Sequence, residues 1–175
     1  MSVLPTERRT PMPPARFRSH PHDPDRDREE LHLAALPSAA GHARRFVRAR
    51  LHKWDLDRLA EACELVASEL VTNAVTATGS RTIPSGHTAL HDRTPAVIVL
   101  QLRLTRHRLV CEVWDSSPLP PVPTTVPGLL DENGRGLFLV AAYAMGWNSY
   151  SSPAGGKVVL AWWNPWATDR ALVAG

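Results

Sequence analysis

Two polar residues one helical turn apart are the strongest chemical candidates in this sequence. Glu69 and Asn73 lie in a segment, about 57–78, whose apolar residues recur at intervals of three and four, which predicts a helix with one buried face. Side chains four residues apart project from the same side, so Asn73 falls within the apolar stripe and Glu69 lies at its edge. Burying them is costly unless something binds them. The pair is therefore either a polar margin on a core helix or a ligand-binding pair.

A single acid ends one of the predicted strands. Asp115 closes the strand 109–115, and the alternation along that strand puts it on the same face as Cys111 and Val113. An acid that faces the core side of a sheet needs a hydrogen-bond donor nearby. Asp115 is thus either a core-facing acid satisfied by a donor or an ordinary turn residue at the end of a strand.

A glycine-containing motif precedes a short predicted helix, 137–145. Glycines allow backbone N–H groups to approach a ligand closely, and the N-terminus of a helix is electropositive, so this motif favours an anion. Taken alone, the motif is more typical of an ordinary helix start. The motif comprises Gly134, Arg135, Gly136 and Leu137.

The predicted elements that position these residues alternate in the order β-α-α-β-β-loop-α-β-β. Their approximate bounds are 30–36, 39–52, 57–78, 96–104, 109–115, 137–145, 147–151 and 157–163. Strands that pair as hairpins beside clustered helices predict an α+β fold, a two-layer sandwich with helices on one face of a mixed, mostly antiparallel sheet. The segment 79–95 is predicted to be a surface loop or insertion, and the proline-rich segment 116–133 a lid or binding loop.

Composition sets the remaining bounds. Residues 1–30 are rich in proline and charge and predict a disordered leader, followed by one domain at 31–166 and a tail at 167–175. A net charge of +3 without a Lys/Arg run predicts no direct nucleic-acid partner, and no apolar run is long enough for a membrane span. Cys63 and Cys111 are far apart in apolar segments, which predicts reduced core cysteines in a cytoplasmic protein.

Two groups of residues each admit two interpretations. The arginines of the predicted helix 39–52 form either a solvated face or a docking surface for an acidic protein partner; they are Arg44, Arg45, Arg48 and Arg50. The tryptophans near the C-terminus either pack in the core and at the sheet edge or contact a dimer or protein partner. They are Trp162, Trp163 and Trp166.

In combination and in this order, the motifs resemble the Bergerat ATP-binding fold, the GHKL superfamily that includes DNA gyrase and the histidine kinases. The resemblance is nearest to the small anti-sigma-factor serine/threonine kinases and to actinobacterial histidine kinase-like ATP-binding regulators. The segments that carry it are 43–47, 69–75, 113–115, 134–137 and 155–157, and it extends over about 31–163.

The resemblance implies a role for each candidate residue. Glu69 would be the catalytic general base, and Asn73 would bind Mg²⁺ through its side-chain oxygen. Asp115 would accept a hydrogen bond from the adenine amino group. The nucleotide phosphates would be held at the helix N-terminus by Gly134, Arg135, Gly136 and Leu137.

The same resemblance implies a cytoplasmic serine/threonine kinase that uses ATP and Mg²⁺, acts as an anti-sigma factor and phosphorylates an anti-anti-sigma (STAS-type) partner. Relatives that pair through the sheet edge also imply a homodimer. The sequence departs from the family pattern at Ser116-Ser117-Pro118, where a glycine-containing box is usual, and at Val158, where threonine is common. These departures favour the alternative, a non-catalytic module that binds nucleotide, or needs none, and sequesters its partner.

Overall fold

Five strands and three α-helices form the regular structure of the residues described in the computed structural model, which are 23–79, 95–121 and 136–167. In chain order they are β1 (Asp25–Ala34), α1 (Ala39–Lys53), a 3₁₀ turn (Asp57–Leu59), α2 (Ala60–Gly79), β2 (Val97–Thr105), β3 (Leu109–Asp115), α3 (Gly136–Tyr143), β4 (Gly146–Ser151) and β5 (Lys157–Trp163). The predictions for 1–22, 80–94, 122–135 and 168–175, including those for Gly134 and Arg135, lie outside the described residues.

The strands form one sheet in the order β1-β2-β3-β5-β4. Each neighbouring pair in this sheet is antiparallel, so the predicted α+β fold with a mostly antiparallel sheet is confirmed. The β2–β3 hairpin closes at 105–108, between the predicted strands 96–104 and 109–115. There the N–H of Thr105 donates to the Arg108 carbonyl at 2.8 Å, and the Thr105 hydroxyl accepts the Arg108 N–H at 2.9 Å.

The core lies between the helices and one face of the sheet. Successive side chains of a strand point to opposite faces, so Leu100 and Leu102 of β2 belong to the core cluster that includes residues of α1 and α2, while Val99 points away from it. On the other face Val99 packs with Trp114, Val158 and the partly buried Tyr150. Burial on both faces explains why β2 and β3 read as nearly continuous apolar runs.

The sheet begins earlier than predicted. Strand β1 starts at Asp25, not near residue 30, so the last residues of the predicted leader belong to the sheet. These charged residues have specific partners: Arg103 donates to Asp25 at 2.8 Å, and Lys53 donates to Glu29 at 2.9 Å. Composition alone treats such residues as unable to order, because it contains no information about long-range ion pairs.

Helix α1 is attached to α2 by two arginines of the predicted solvated or docking face. Arg48 forms a bidentate pair with Glu64 at 2.7 and 2.8 Å, and Arg44 donates to the Ser68 hydroxyl at 2.8 Å. The Glu64 side chain is only 8% exposed, so its carboxylate depends on this partner. Two of the four arginines therefore connect the helices, an outcome that neither interpretation included.

The tryptophans and cysteines mostly serve packing. Trp163 is buried and its indole N–H donates to the Tyr143 carbonyl at 2.7 Å, whereas Trp166 is 53% exposed. Cys63 and Cys111 are both buried and free, as predicted. Within the described parts of the chain, no helix combines the length and apolar character that crossing a membrane requires.

Candidate functional site

Glu69 and Asn73 occupy the face of α2 that is neither fully buried nor fully solvated. Buried neighbours such as Leu70 and Ala74 anchor this part of the helix in the core. Within the described ranges, neither polar side chain forms a hydrogen bond or ion pair. Burial raises the pKa of the Glu69 carboxyl above its ordinary value. The pair therefore presents unpartnered oxygen atoms in a partly desolvated position.

The first residue of α3 lies directly against this pair. A Cβ atom placed on Gly136 would be 2.9 Å from Glu69 Oε2, and 3.1 and 3.3 Å from the amide atoms of Asn73. Only glycine leaves these side chains undisturbed, because a methyl group would fill the gap between the two helices. The structure thus brings together three sequence-predicted site residues: the α2 pair and the glycine that opens α3.

Asp115 ends β3 on the helix-covered side of the sheet, where the sequence predicted that it would need a donor. Its Oδ1 accepts a hydrogen bond from Lys157 Nζ at 2.9 Å and another from the Ser117 backbone N–H at 2.8 Å. Burial raises the pKa of the Asp115 carboxyl, while the Lys157 ammonium and the Ser117 N–H oppose that rise. Oδ2 has no hydrogen-bond partner among the described residues, so one acceptor oxygen remains free.

The turn before β5 packs against the backbone of Asp115 and holds it in place. Gly155 and Gly156 have φ values of 90° and 75°, in the region that favours glycine. A Cβ on Gly156 would collide with the backbone carbonyl of Asp115. The Trp114 indole N–H donates to the Gly155 carbonyl at 3.0 Å and fixes the turn against β3.

The two departures from the family pattern have defined structural consequences. The Ser117 N–H closes a turn on Asp115, and neither serine needs a positive φ, so the serine pair replaces the glycine box without strain. Val158 is paired with Trp114 and faces away from the helices. The β5 side chain that reaches Asp115 belongs instead to Lys157, its partner in the β3–β5 register.

Lys157 belongs to the segment 155–157 that carries the family resemblance, but the sequence predicted no role for it. The signal was present, because an acid predicted to face the core required a donor, and Lys157 opens the strand that pairs beside it. Leu137, a predicted phosphate-binding residue, has its side chain buried in the core, which leaves only its backbone for a ligand. The roles of the site residues toward a ligand stay predictions.

The donor set fits a hard divalent cation and a phosphate chain. Oxygen ligands such as the Asn73 amide oxygen suit Mg²⁺, and the unpartnered Glu69 carboxylate lies beside them against Gly136. The N-terminus of α3 begins at Gly136, directly against the pair, and the free backbone N–H groups of a helix N-terminus favour an anion such as phosphate. Residues 23–79, 95–121 and 136–167 contain no cluster of three or more His, Cys, Asp or Glu for a protein-only metal site.

An antiparallel sheet with helices on one face, a Glu/Asn pair on the second helix and a buried acid at a strand end together define the GHKL class of nucleotide-binding domains. The family model described as the histidine kinase-like ATPase domain matches residues 33–162. The chain belongs to this family, whose members bind ATP. No curated protein matches the chain.

Proposed function

We propose that this protein binds Mg-ATP beside α2, α3 and the end of β3, and transfers the γ-phosphoryl group to a serine or threonine hydroxyl of a protein partner. The observation that carries the proposal is the contact of Glu69 and Asn73 with the glycine that opens α3. It unites a base, a metal ligand and a phosphate-binding helix terminus, the main parts that phosphoryl transfer requires.

In this proposal Asn73 holds Mg²⁺ through its side-chain oxygen. The metal would neutralise charge on the nucleotide phosphates, as it does in phosphoryl-transfer enzymes generally. The helix α3 N-terminus would donate backbone hydrogen bonds to the phosphates, and Gly136 keeps that terminus close to α2.

Glu69 accepts the proton from the attacking hydroxyl. Its carboxyl is partly buried, and burial raises its pKa, which makes the ionised form a stronger base than a solvated carboxylate. Its lack of a partner within the described residues keeps the proton-accepting oxygens available. The side chain is therefore suited to catalysis and contributes no described ion pair to the fold.

Asp115 selects the base. A carboxylate is a hydrogen-bond acceptor, so it favours the amino group of adenine over the carbonyl group that guanine carries in the same position. The free Oδ2 of Asp115 is the acceptor, and its other oxygen is already occupied by Lys157 and Ser117.

The partner in this proposal is an anti-anti-sigma (STAS-type) protein, and the kinase also binds a sigma factor in the manner of an anti-sigma factor. This part is supported by the likeness of the motifs to the anti-sigma-factor kinases. The unpaired outer edges of β1 and β4 in the described sheet are the places where a homodimer would form.

The test is incubation of the full chain with γ-labelled ATP, Mg²⁺ and candidate STAS-type proteins, using the wild type and Glu69→Gln. We expect the wild type to label a partner on serine or threonine, and Glu69→Gln to bind ATP while labelling at least about a hundredfold less. Binding without transfer by the wild type would instead support the non-catalytic module. Absence of ATP binding would refute both ATP-dependent functions and favour a module that sequesters its partner without nucleotide.

A further inference from the structure

We propose that Lys157 controls the base selectivity of Asp115, because its ion pair occupies one oxygen of that buried carboxylate and leaves the other oxygen for the amino group of the base. This inference rests on the proposed function, since it concerns the same nucleotide site. It gives Lys157 a positioning role, with Asp115 as the group that contacts the ligand.

The geometry is that of a buried ion pair built by strand register. Asp115 and Lys157 are direct partners in the antiparallel β3–β5 pairing, and Lys157 Nζ lies 2.9 Å from Asp115 Oδ1. The two side chains are only 2% and 8% exposed, respectively. Water therefore screens this pair weakly, and each charge depends on the other.

The two oxygens of Asp115 are unequal. Lys157 and the Ser117 N–H both donate to Oδ1, whereas Oδ2 has no donor among the described residues. An ionised carboxylate with one oxygen occupied presents one directed acceptor. An exocyclic amino group donates a hydrogen bond to this oxygen. A carbonyl group in the same place has no hydrogen to donate, so its oxygen faces the carboxylate oxygen unfavourably.

Removal of Lys157 would change the hydrogen-bonding character of Asp115. Burial favours the neutral acid, and the charged group that opposes this on Asp115 is Lys157, with the uncharged Ser117 N–H as its other support. A neutral carboxyl carries an O–H donor and so accepts a 6-carbonyl base. Selection between a 6-amino and a 6-carbonyl purine then weakens.

The experiment compares ATP with inosine triphosphate, which differs at the 6-position, by equilibrium titration of the full chain with Mg²⁺ between pH 5 and 9. We expect Lys157→Met to reduce the ATP preference at least about tenfold. The ATP affinity should also begin to fall at a higher pH than in the wild type as pH decreases. Lys157→Arg should restore both.

A double variant in which neither residue is charged controls for loss of folding. In Asp115→Asn/Lys157→Met no buried charge is left alone, and we expect it to lose the ATP preference and the pH dependence of that preference. If Lys157→Met is folded by its melting curve and retains the wild-type preference and pH profile, Lys157 has no role in selectivity. The same outcome in the double variant would overturn the role of the Asp115–Lys157 pair as a whole. A wild type that binds neither nucleotide would instead refute the proposed function.

Discussion

Gly136 determines how closely α3 can approach Glu69 and Asn73. The space beside Gly136 is too small for even a methyl group, since a Cβ there would lie 2.9 Å from the carboxylate of Glu69. The atoms that must move are the ends of the Glu69 and Asn73 side chains, so the fold can tolerate an added methyl group while the proposed nucleotide site cannot. We therefore expect a substitution of Gly136 to weaken nucleotide binding while leaving the stability of the fold nearly unchanged.

Gly136→Ala tests that separation. We expect Mg-ATP affinity to fall about tenfold, equivalent to about 1.4 kcal/mol, because the methyl group displaces Glu69 and Asn73. The melting temperature should change little. Gly79→Ala is the matched control, because a Cβ there has nothing within 4 Å. Equal ATP affinities for the two variants, measured by calorimetric titration, would show that the gap at Gly136 has no role in binding.

If the proposed kinase reaction is correct, the pH dependence of phosphoryl transfer should report on Glu69. Its pKa lies above the ordinary carboxyl value because of burial, and a general base works only when deprotonated. Activity should therefore rise as pH increases through this raised pKa and be lost below it. The measurement is kcat/KM against pH with a labelled partner. In Glu69→Gln the residual kcat/KM should no longer fall at low pH in this way. If the same fall persists in this variant, it is caused by another titratable group and not by Glu69.

The turn 155–156 positions two strands, because it fixes the end of β3 against the start of β5. Gly156→Ala should destabilise the fold, since alanine is strained at a φ of 75° and its Cβ would strike the Asp115 carbonyl. Backbone strain of this kind costs about 1–3 kcal/mol before any steric clash is added. Chemical denaturation measures the loss. Gly41→Ala is the control, and similar stabilities for both would contradict the described turn.

The α1–α2 junction depends on an arginine that looks like a surface residue. Arg48→Ala should lower the melting temperature, because it leaves the buried Glu64 carboxylate without its bidentate partner. Arg45 lies on the same helix, is exposed and has no ion pair with the described residues. Arg45→Ala should therefore melt close to the wild type. A thermal melt in which both variants behave alike would mean that the pair does not stabilise the junction.

Across the whole molecule, the sequence predicted best what depends on local pattern. The strand 109–115 and the strand 157–163 were placed with their observed bounds, because alternation and flanking turns mark them. Helical spacing indicates the Glu69/Asn73 pair, and the order of the motifs predicts that the pair belongs to a nucleotide-binding site. Each of these signals is contained in a short stretch of chain.

What was missed depends on contacts between distant residues. Strand β1 begins at Asp25 because its charges meet β2 and α1, and composition gives no sign of those partners. The Arg48–Glu64 pair and the Lys157–Asp115 pair likewise join elements whose register is fixed only in the folded chain. Spacing within one segment cannot show which charges will meet across two.

The most direct test of the central claim is the Mg²⁺ dependence of ATP binding, measured by equilibrium titration of the wild type and Asn73→Ala. The account predicts saturable binding of one ATP by the wild type, strengthened by Mg²⁺, and weaker binding by Asn73→Ala that Mg²⁺ no longer improves. If Mg²⁺ strengthens ATP binding equally in both proteins, Asn73 is not the metal ligand and the site is wrongly assigned.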